Sequence, residues 1–175
     1  MSTPTLWFTG LSASGKSTLA QALCQRLRRQ GRPAQVIDGD QLRQTYPSPL
    51  GYSRADRRTN VLRAAAMCRA CNDRGVLAIA ALISPYRQDR AAARELVGAD
   101  AYQEIYVSTP LAVCEQRDPK GLYRKARAGA IQNFTGISDP YEPPRAPALE
   151  LATQTMELNA CIQQLEELVS VVCAQ

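Results

Sequence analysis

Short runs of apolar and β-prone residues alternate with longer segments of helical periodicity along the chain. The run at 76–83 has no polar alternation, which is typical of a central strand covered on both faces. Leu19, Leu23 and Leu27 repeat at four-residue spacing and predict a helix over residues 16–30. Further strands are predicted at residues 5–9, 34–37, 103–108 and 148–153.

The predicted strands and helices follow one another in regular alternation. Further helices are expected at residues 53–73, 85–97, 111–117 and 155–172. Residues 41–52 contain Pro47, Pro49 and Gly51 and are expected to lack regular structure. The alternation predicts an α/β fold in which helices flank both faces of a mostly parallel sheet. The length favours a single domain that spans residues 1–175.

A glycine-rich loop joins the first predicted strand to the first predicted helix. Its residues are Gly10, Leu11, Ser12, Ala13, Ser14, Gly15, Lys16, Ser17 and Thr18. Two glycines five positions apart, followed by Lys and Ser, form the pattern of a loop whose backbone N–H groups bind nucleoside-triphosphate phosphates. Lys16 is expected to reach the β- and γ-phosphates, and the Ser17 hydroxyl is expected to bind Mg²⁺. The alternative is a chance glycine-rich turn, which the flanking strand and helix argue against.

Two carboxylates, Asp38 and Asp40, follow the second predicted strand. Ligands bind at the carboxyl ends of parallel strands, so both side chains are expected on the same edge of the sheet as the phosphate loop. They could hold magnesium, activate an acceptor hydroxyl or cap a helix. Ser84 follows the central strand and is expected at the same edge.

Several arginines lie after these turns or on the helices that the turns open. They are Arg43, Arg57, Arg63 and Arg87. The planar guanidinium group suits fork-like recognition of phosphate or sulfate oxygens. Solvation at the surface is the alternative for any single one of them.

The composition favours small anionic partners. The net charge is +5, from 21 Lys and Arg against 16 Asp and Glu. The arginines are scattered through patterned segments and form no basic strip interleaved with aromatic residues, which argues against nucleic acid as a partner. Nucleotides account for the excess charge equally well. No apolar run approaches the roughly 20 residues that a membrane span requires.

Six cysteines and the absence of histidine restrict metal and redox chemistry. Cys68 and Cys71 have the spacing of a metal-binding or redox pair, but no second pair follows and no histidine completes a zinc site. Buried, reduced thiols are therefore expected. The first predicted strand begins at Thr5, which leaves no room for a signal peptide, so we expect a cytoplasmic protein.

A set of sequence blocks runs in order along nearly the whole chain. The blocks are GLSASGKST at 10–18, DGD at 38–40, LGYS at 50–53, DR at 56–57, ISPYR at 83–87, TPLAVCEQRD at 109–118, KGLY at 120–123 and FTGI at 134–137. Together they resemble the adenylylsulfate (APS) kinase family. The resemblance implies a three-layer P-loop fold with a lid over about residues 119–147. It also implies Mg²⁺ as cofactor, a homodimer, and transfer of the γ-phosphoryl group of ATP to the 3′-hydroxyl of adenosine 5′-phosphosulfate, which gives PAPS and ADP.

The same resemblance implies individual roles. Asp38 orients or deprotonates the acceptor hydroxyl and contacts the metal with Ser17, Lys16 assists the transfer, and Arg117 flanks the adenine of ATP. Because in-line transfer requires only positioning and charge stabilisation, we expect a hydrogen-bonding role for Ser84 rather than a phosphoserine intermediate. The residues implied to bind the acceptor are Asp38, Asp40, Arg43, Tyr52, Arg57, Asn60, Ile83, Ser84, Lys120 and Phe134, with Tyr52 and Phe134 stacking on its base.

The chain departs from the family pattern in three places. Tyr52 replaces a phenylalanine, Gln44–Tyr46 replaces His-Gly-Leu, and Leu82 replaces another phenylalanine. The last two lie near the expected acceptor pocket, so a different nucleotide with a sulfate-like group, such as cytidine diphosphoramidate, remains an alternative acceptor. A nucleotide-binding regulator without turnover is a further alternative, but the chain retains both the phosphate-loop lysine and Asp38.

Overall fold

A parallel β-sheet lies at the centre of the computed structural model, which describes residues 3–45 and 50–174. Its strands are β1 (Thr5–Thr9), β2 (Ala34–Asp38), β3 (Leu77–Ala81), β4 (Tyr102–Val107) and β5 (Leu149–Leu151). Within these residues the sheet has five strands in the order β2-β3-β1-β4-β5, and all neighbouring strands pair in parallel. The mostly parallel sheet that the sequence predicts is confirmed.

The helices of the described residues connect these strands. They are α1 (Lys16–Arg29), α2 (Gly39–Gln44), α3 (Arg54–Asn72), α4 (Arg87–Val97), α5 (Leu111–Arg117), α6 (Leu122–Arg127) and α7 (Leu158–Cys173). The predicted helices are all present with small shifts of their ends. The last helix begins three residues later than predicted, because residues 153–155 form a turn after β5.

Side chains of β1 point alternately to the two faces of the sheet, and each face is covered by helices. Leu6 and Phe8 belong to one buried cluster with Leu23 of α1 and Leu165 of α7. Trp7 belongs to a second buried cluster, which α3 and α4 supply from the opposite face. Because a strand buried on both faces has no solvated side, β1 reads as a continuous apolar run. The fold therefore has the predicted three layers.

The expectation of irregular structure from residue 41 onward is wrong for its first part, where α2 extends to Gln44. The carboxylate of Asp38 accepts hydrogen bonds from the backbone N–H groups of Asp40 and Gln41 and so caps this helix. Helix α2 buries Leu42 as its one large apolar side chain and is too short to show an apolar period. The predicted break at Pro47 and Pro49, like Tyr46, lies outside the described residues.

The carboxyl ends of the strands bring the candidate segments to one edge of the sheet. The phosphate loop follows β1, the Asp38 turn follows β2, and the Ser84 turn follows β3. Residues 118–147, called the covering segment below, contribute Lys120 and Phe134 to this edge, and Tyr123 and Phe134 of the segment pack with Cys114 in a small apolar cluster. In the described part of the chain, no helix has the length and apolar character needed to cross a membrane.

Candidate active site

The phosphate loop has the backbone conformation that its glycines predict. Gly10 and Gly15 have φ angles of +154° and +108°, in the region that L side chains rarely adopt. A Cβ atom on Gly10 would lie 2.5 Å from the carbonyl oxygen of Val107, so the loop passes too close to β4 for a side chain. Gly15 directly precedes α1, whose first N–H groups consequently point into the concave side of the loop.

Lys16 lies beneath this loop. Its side chain is buried, and Nζ donates hydrogen bonds to the Leu11 carbonyl at 2.6 Å and to the Ser14 hydroxyl at 3.3 Å. Burial lowers the pKa of Lys16 to about 8, although the nearby carboxylates of Asp40 and Asp38 oppose the shift. A bound phosphate would add negative charge beside Nζ and stabilise its protonated form.

Ser17 and Asp38 meet at the floor of the site. The Ser17 hydroxyl donates a hydrogen bond to Asp38 Oδ2 at 2.7 Å, while Oδ1 of the same carboxylate caps α2. Both oxygen atoms of Asp38 are therefore fixed in position. Mg²⁺ prefers oxygen ligands and is commonly bound through one or two carboxylates together with substrate phosphates. The Ser17 hydroxyl and the Asp38 carboxylate fit that ligand set.

A second group of charged side chains faces the phosphate loop. Lys120 Nζ lies 2.6 Å from Asp40 Oδ2, and this hydrogen bond raises the pKa of Lys120. The guanidinium carbons of Arg43 and Arg57 lie 5.0 and 5.7 Å from the centroid of the Tyr52 ring, which is half-exposed. Two cations beside one accessible aromatic ring form a surface suited to an anionic, aromatic ligand.

Arg57 and Asn60 project from the same side of α3. Arg57 donates hydrogen bonds to the carbonyl oxygens of Tyr52 at 3.0 Å and Asn133 at 2.6 Å, and burial lowers its pKa. Asn60 Nδ2 donates to the Gly39 carbonyl at 3.2 Å. Its buried Oδ1 has no hydrogen-bond partner among the described residues. An N–H group of a bound ligand would satisfy this oxygen.

Ser84 is buried and has a φ angle of +40°, which is unusual for a residue with a side chain. The indole N–H of Trp7 donates to Ser84 Oγ at 3.1 Å. This bond leaves the hydroxyl hydrogen of Ser84 available to donate. It can donate to the Leu82 carbonyl in a long hydrogen bond of 3.4 Å or to a ligand. Phe134 lies across the site, where it packs edge-on against Tyr123 at 5.0 Å between ring centroids.

A cavity of about 1160 Å³ connects these groups. The expected site residues that line it are Ser12, Ala13, Gly15, Lys16, Ser17, Thr18, Asp38, Asp40, Arg43, Tyr52, Arg57, Asn60, Ile83, Ser84, Arg117, Lys120 and Phe134. The structure thus brings the phosphate loop and the expected acceptor residues together around one space.

The other expected residues do not line this cavity. Gly10 and Ser14 are buried within the phosphate loop, and Leu11 borders a shallow depression beside Gly136 instead. Arg63 and Arg87, which were grouped with the phosphate-binding arginines, are not among the lining residues either. Arg87 donates instead to the Pro143 carbonyl at 2.7 Å, so it holds the end of the covering segment.

Sequence reasoning missed Thr153, which ties the phosphate loop to the segment after β5. Thr153 Oγ1 donates to the Ser14 carbonyl at 2.7 Å and accepts from Arg117 Nη1 at 2.8 Å. This arrangement holds the Arg117 guanidinium beside the loop. Thr153 lies 139 positions from Ser14, and no local pattern signals such a contact. Thr135 was also missed, and its buried hydroxyl lines the cavity without a hydrogen-bond partner among the described residues.

The chain is similar to known kinases along nearly its whole length. Residues 2–152 match the model of the adenylylsulphate kinase family. An adenylyl-sulfate kinase from Pseudomonas entomophila is 51% identical over 158 residues, which cover 90% of this chain and 76% of that protein.

Solved structures agree with this result. The APS kinase from Mycobacterium tuberculosis, solved in complex with AMPPNP and APS, superposes with a TM-score of 0.92 and 42% identity, covering 97% of this chain and 98% of that one. The hexameric APS kinase from Thiobacillus denitrificans has a TM-score of 0.71 and 32% identity, covering 97% of this chain and 29% of that longer chain.

Proposed function

The chain belongs to the adenylylsulphate kinase family, and we propose that it transfers the γ-phosphoryl group of ATP to the 3′-hydroxyl of adenosine 5′-phosphosulfate. The products are PAPS and ADP. The observation that carries this proposal is the shared cavity, in which the phosphate loop faces the carboxylates and arginines expected to bind the acceptor. Such an arrangement suits a reaction in which two nucleotides meet at one phosphoryl group.

On the donor side, the N–H groups of the phosphate loop surround the β- and γ-phosphates, and Lys16 supplies a positive charge from below. Arg117, held by Thr153, flanks the adenine of ATP. The Ser17 hydroxyl and the Asp38 carboxylate would hold Mg²⁺, which would supply positive charge to the phosphate oxygens. This oxygen pair supports magnesium as the cofactor.

On the acceptor side, Asp38 is positioned to accept the proton of the 3′-hydroxyl as the oxygen attacks the γ-phosphorus. Its fixed carboxylate supports this role, since a general base acts from hydrogen-bond distance of the proton that it removes. Tyr52 and Phe134 stack on the acceptor base. The remaining acceptor contacts that we propose come from Asp40, Arg43, Arg57, Asn60, Ile83, Ser84 and Lys120.

We propose that residues 119–147 form a lid over one kinase domain that comprises residues 1–175. Lys120 lies at the beginning of this segment and already reaches across the cavity to Asp40. Closure of the segment would exclude water, which otherwise competes with the acceptor for the γ-phosphoryl group. A helix within the segment, α6, carries the basic residues Arg124, Lys125 and Arg127 in its last turn, and their positive charge attracts anionic nucleotides.

Assembly and location are also proposals. The family resemblance supports a homodimer as the assembly. The six cysteines are free thiols, five of them buried, which is typical of the reducing cytoplasm. We propose nucleotides as the partners, with neither nucleic acid nor a membrane among them.

A coupled assay of ADP release tests the proposed activity. With Mg²⁺ and ATP present, micromolar adenosine 5′-phosphosulfate should stimulate ADP release strongly, whereas AMP should not, because AMP lacks the sulfate group. Equal stimulation by both nucleotides, or stimulation by neither, would contradict the proposal. Cytidine diphosphoramidate in the same assay tests the alternative acceptor.

A further inference from the structure

Arg90 of α4 is a buried cation that the reaction described above does not use. Its side chain is only 3% exposed, and its guanidinium group donates three hydrogen bonds of 2.7 Å in different directions. Nε donates to the Glu104 carboxylate on β4, Nη1 to the Ser84 carbonyl, and Nη2 to the Glu142 carbonyl. One side chain therefore joins the sheet, the turn after β3 and the end of the covering segment.

The Ser84 peptide needs such support. A residue with a side chain at positive φ is strained and keeps this conformation only when the surroundings fix it. Three groups do so here. Trp7 binds the Ser84 hydroxyl, Thr9 Oγ1 donates to the Ile83 carbonyl at 2.7 Å, and Arg90 binds the Ser84 carbonyl. Ile83 and Ser84 line the part of the cavity that is expected to bind the acceptor, which we call the acceptor wall. The orientation of this turn therefore sets the shape of the acceptor wall.

The second carbonyl that Arg90 binds, that of Glu142, belongs to the end of the covering segment. Glu142 also donates its own N–H to the Pro85 carbonyl at 2.8 Å, and the adjacent Tyr141 hydroxyl lies 2.9 Å from Thr9 Oγ1. The Arg90 guanidinium carbon lies 5.9 Å from the Tyr141 ring centroid. The end of the covering segment is thereby attached to the Ser84 turn.

A buried guanidinium group is costly unless it is paired, and the Glu104 carboxylate supplies the counter-charge. Glu104 satisfies only Nε. The two terminal nitrogens bind the backbone carbonyls of Ser84 and Glu142, so the planar guanidinium group fixes the positions of these two carbonyls relative to each other. A lysine in this position could not reach all three oxygen atoms in the same geometry.

We infer that Arg90 is a positioning residue for the acceptor: by binding the carbonyls of Ser84 and Glu142 together, it holds the acceptor wall in its productive shape. This inference rests on the proposed function. Arg90 does not itself line the cavity, and it acts through the Ser84 turn.

Steady-state kinetics of Arg90→Lys and Arg90→Ala test the inference. Both substitutions should lower kcat/KM for the acceptor about 10- to 100-fold, as expected for a small misplacement of the acceptor wall, while the KM for ATP changes less than about twofold. Arg90→Lys keeps a positive charge beside Glu104, so this variant tests the positioning role if Arg90→Ala does not fold.

Arg58→Lys and Arg58→Ala are the matched controls. Arg58 pairs with the buried Asp89 at 2.8 Å, one position before Arg90 on α4, but its ion pair does not involve the Ser84 turn. Folded Arg58 variants should keep kcat/KM for the acceptor within about threefold of wild type. A folded Arg90→Lys protein with wild-type kinetics would overturn the inference. So would an equal loss of ATP and acceptor binding that the Arg58 variants share.

Failure of the proposed function has a different signature. If wild-type protein does not turn over adenosine 5′-phosphosulfate, the proposed function fails whatever the variants do. If wild-type protein is active and the Arg90 variants match the Arg58 controls, only the positioning role fails.

Discussion

Ser17 Oγ lies 2.7 Å from Asp38 Oδ2, although the two residues are 21 positions apart and belong to different elements, α1 and β2. The same carboxylate caps α2 through its other oxygen. A single side chain thus orders the turn after β2 and presents an oxygen atom to the phosphate loop. The capping and functional interpretations of Asp38 are therefore compatible.

The substitution Asp38→Asn separates these two roles. Asparagine is as good an N-cap as aspartate, so α2 should remain folded, but the amide cannot accept a proton. We expect kcat to fall by about two orders of magnitude or more, with the dissociation constant of ADP nearly unchanged. Steady-state kinetics measures kcat, and calorimetry measures the dissociation constant of ADP. Near-normal turnover in this variant would show that Asp38 takes no part in the chemistry. The control is Asp73→Asn, because Asp73 lies in an exposed ion pair with Arg69.

Gly10→Ala should damage both stability and nucleotide binding. Its new Cβ would meet the Val107 carbonyl at 2.5 Å, and the backbone would have to leave its present φ of +154°. We expect a loss of about 2–4 kcal/mol in the free energy of unfolding, measured by urea denaturation. Gly31→Ala is the control. Gly31 also has a positive φ, but nothing lies within 4 Å of its Cβ position, so only about 1 kcal/mol should be lost. Equal losses in the two variants would contradict the close approach.

Nucleotide binding should weaken at alkaline pH because of Lys16. Its pKa in the free protein is lowered to about 8, and the charge of a bound phosphate should raise it. Above pH 8 the free protein loses the Lys16 proton, so ADP binding must take up a proton and its dissociation constant rises, by at most about tenfold per pH unit.

Calorimetry at pH 8.5 in two buffers of different ionisation enthalpy measures this proton uptake. Lys16→Arg should bind ADP without it, because a guanidinium group stays charged in this range. Identical proton uptake by wild type and Lys16→Arg would exclude Lys16 as the source.

The ion pair between Lys120 and Asp40 should matter for the acceptor and hardly for stability. Both side chains are more than half exposed, so Lys120→Ala should change the free energy of unfolding by less than about 1 kcal/mol. The acceptor KM should rise about tenfold or more, because the substitution removes a cation from the cavity wall. Arg69→Ala removes another exposed ion pair away from the site and should leave the KM unchanged. An unchanged KM in Lys120→Ala would argue against its proposed role.

Most of the sheet and the phosphate loop could be predicted from the sequence because their signals are local. Apolar runs such as Leu77–Ala81 mark buried strands, and the conformations of Gly10 and Gly15 follow from the loop pattern. Helices α2 and α6 could not be predicted from periodicity, since each has only six residues. The N-cap of α2 is Asp38, and an aspartate at this point of the sequence is a signal for the start of a helix.

The contacts that shape the site were less accessible from the sequence. Thr153 and Arg90 each bind backbone carbonyls, and such bonds depend on which distant loop the fold brings near. Neither residue type nor spacing in the sequence indicates which distant backbone carbonyl such a side chain will bind. Family resemblance supplied acceptor-side lining residues such as Tyr52 and Phe134, whereas the loop pattern included Leu11, which borders another depression.

The central claim is that the phosphate loop and the acceptor-binding residues, which line one cavity, bring ATP and adenosine 5′-phosphosulfate together for direct transfer. Mass spectrometry of the products formed by wild-type protein from these two nucleotides and Mg²⁺ tests it most directly. The account predicts ADP and PAPS in equal amounts, with the new phosphate on the 3′-oxygen. ADP formed without a phosphorylated acceptor, or a phosphate found at another position, would contradict it.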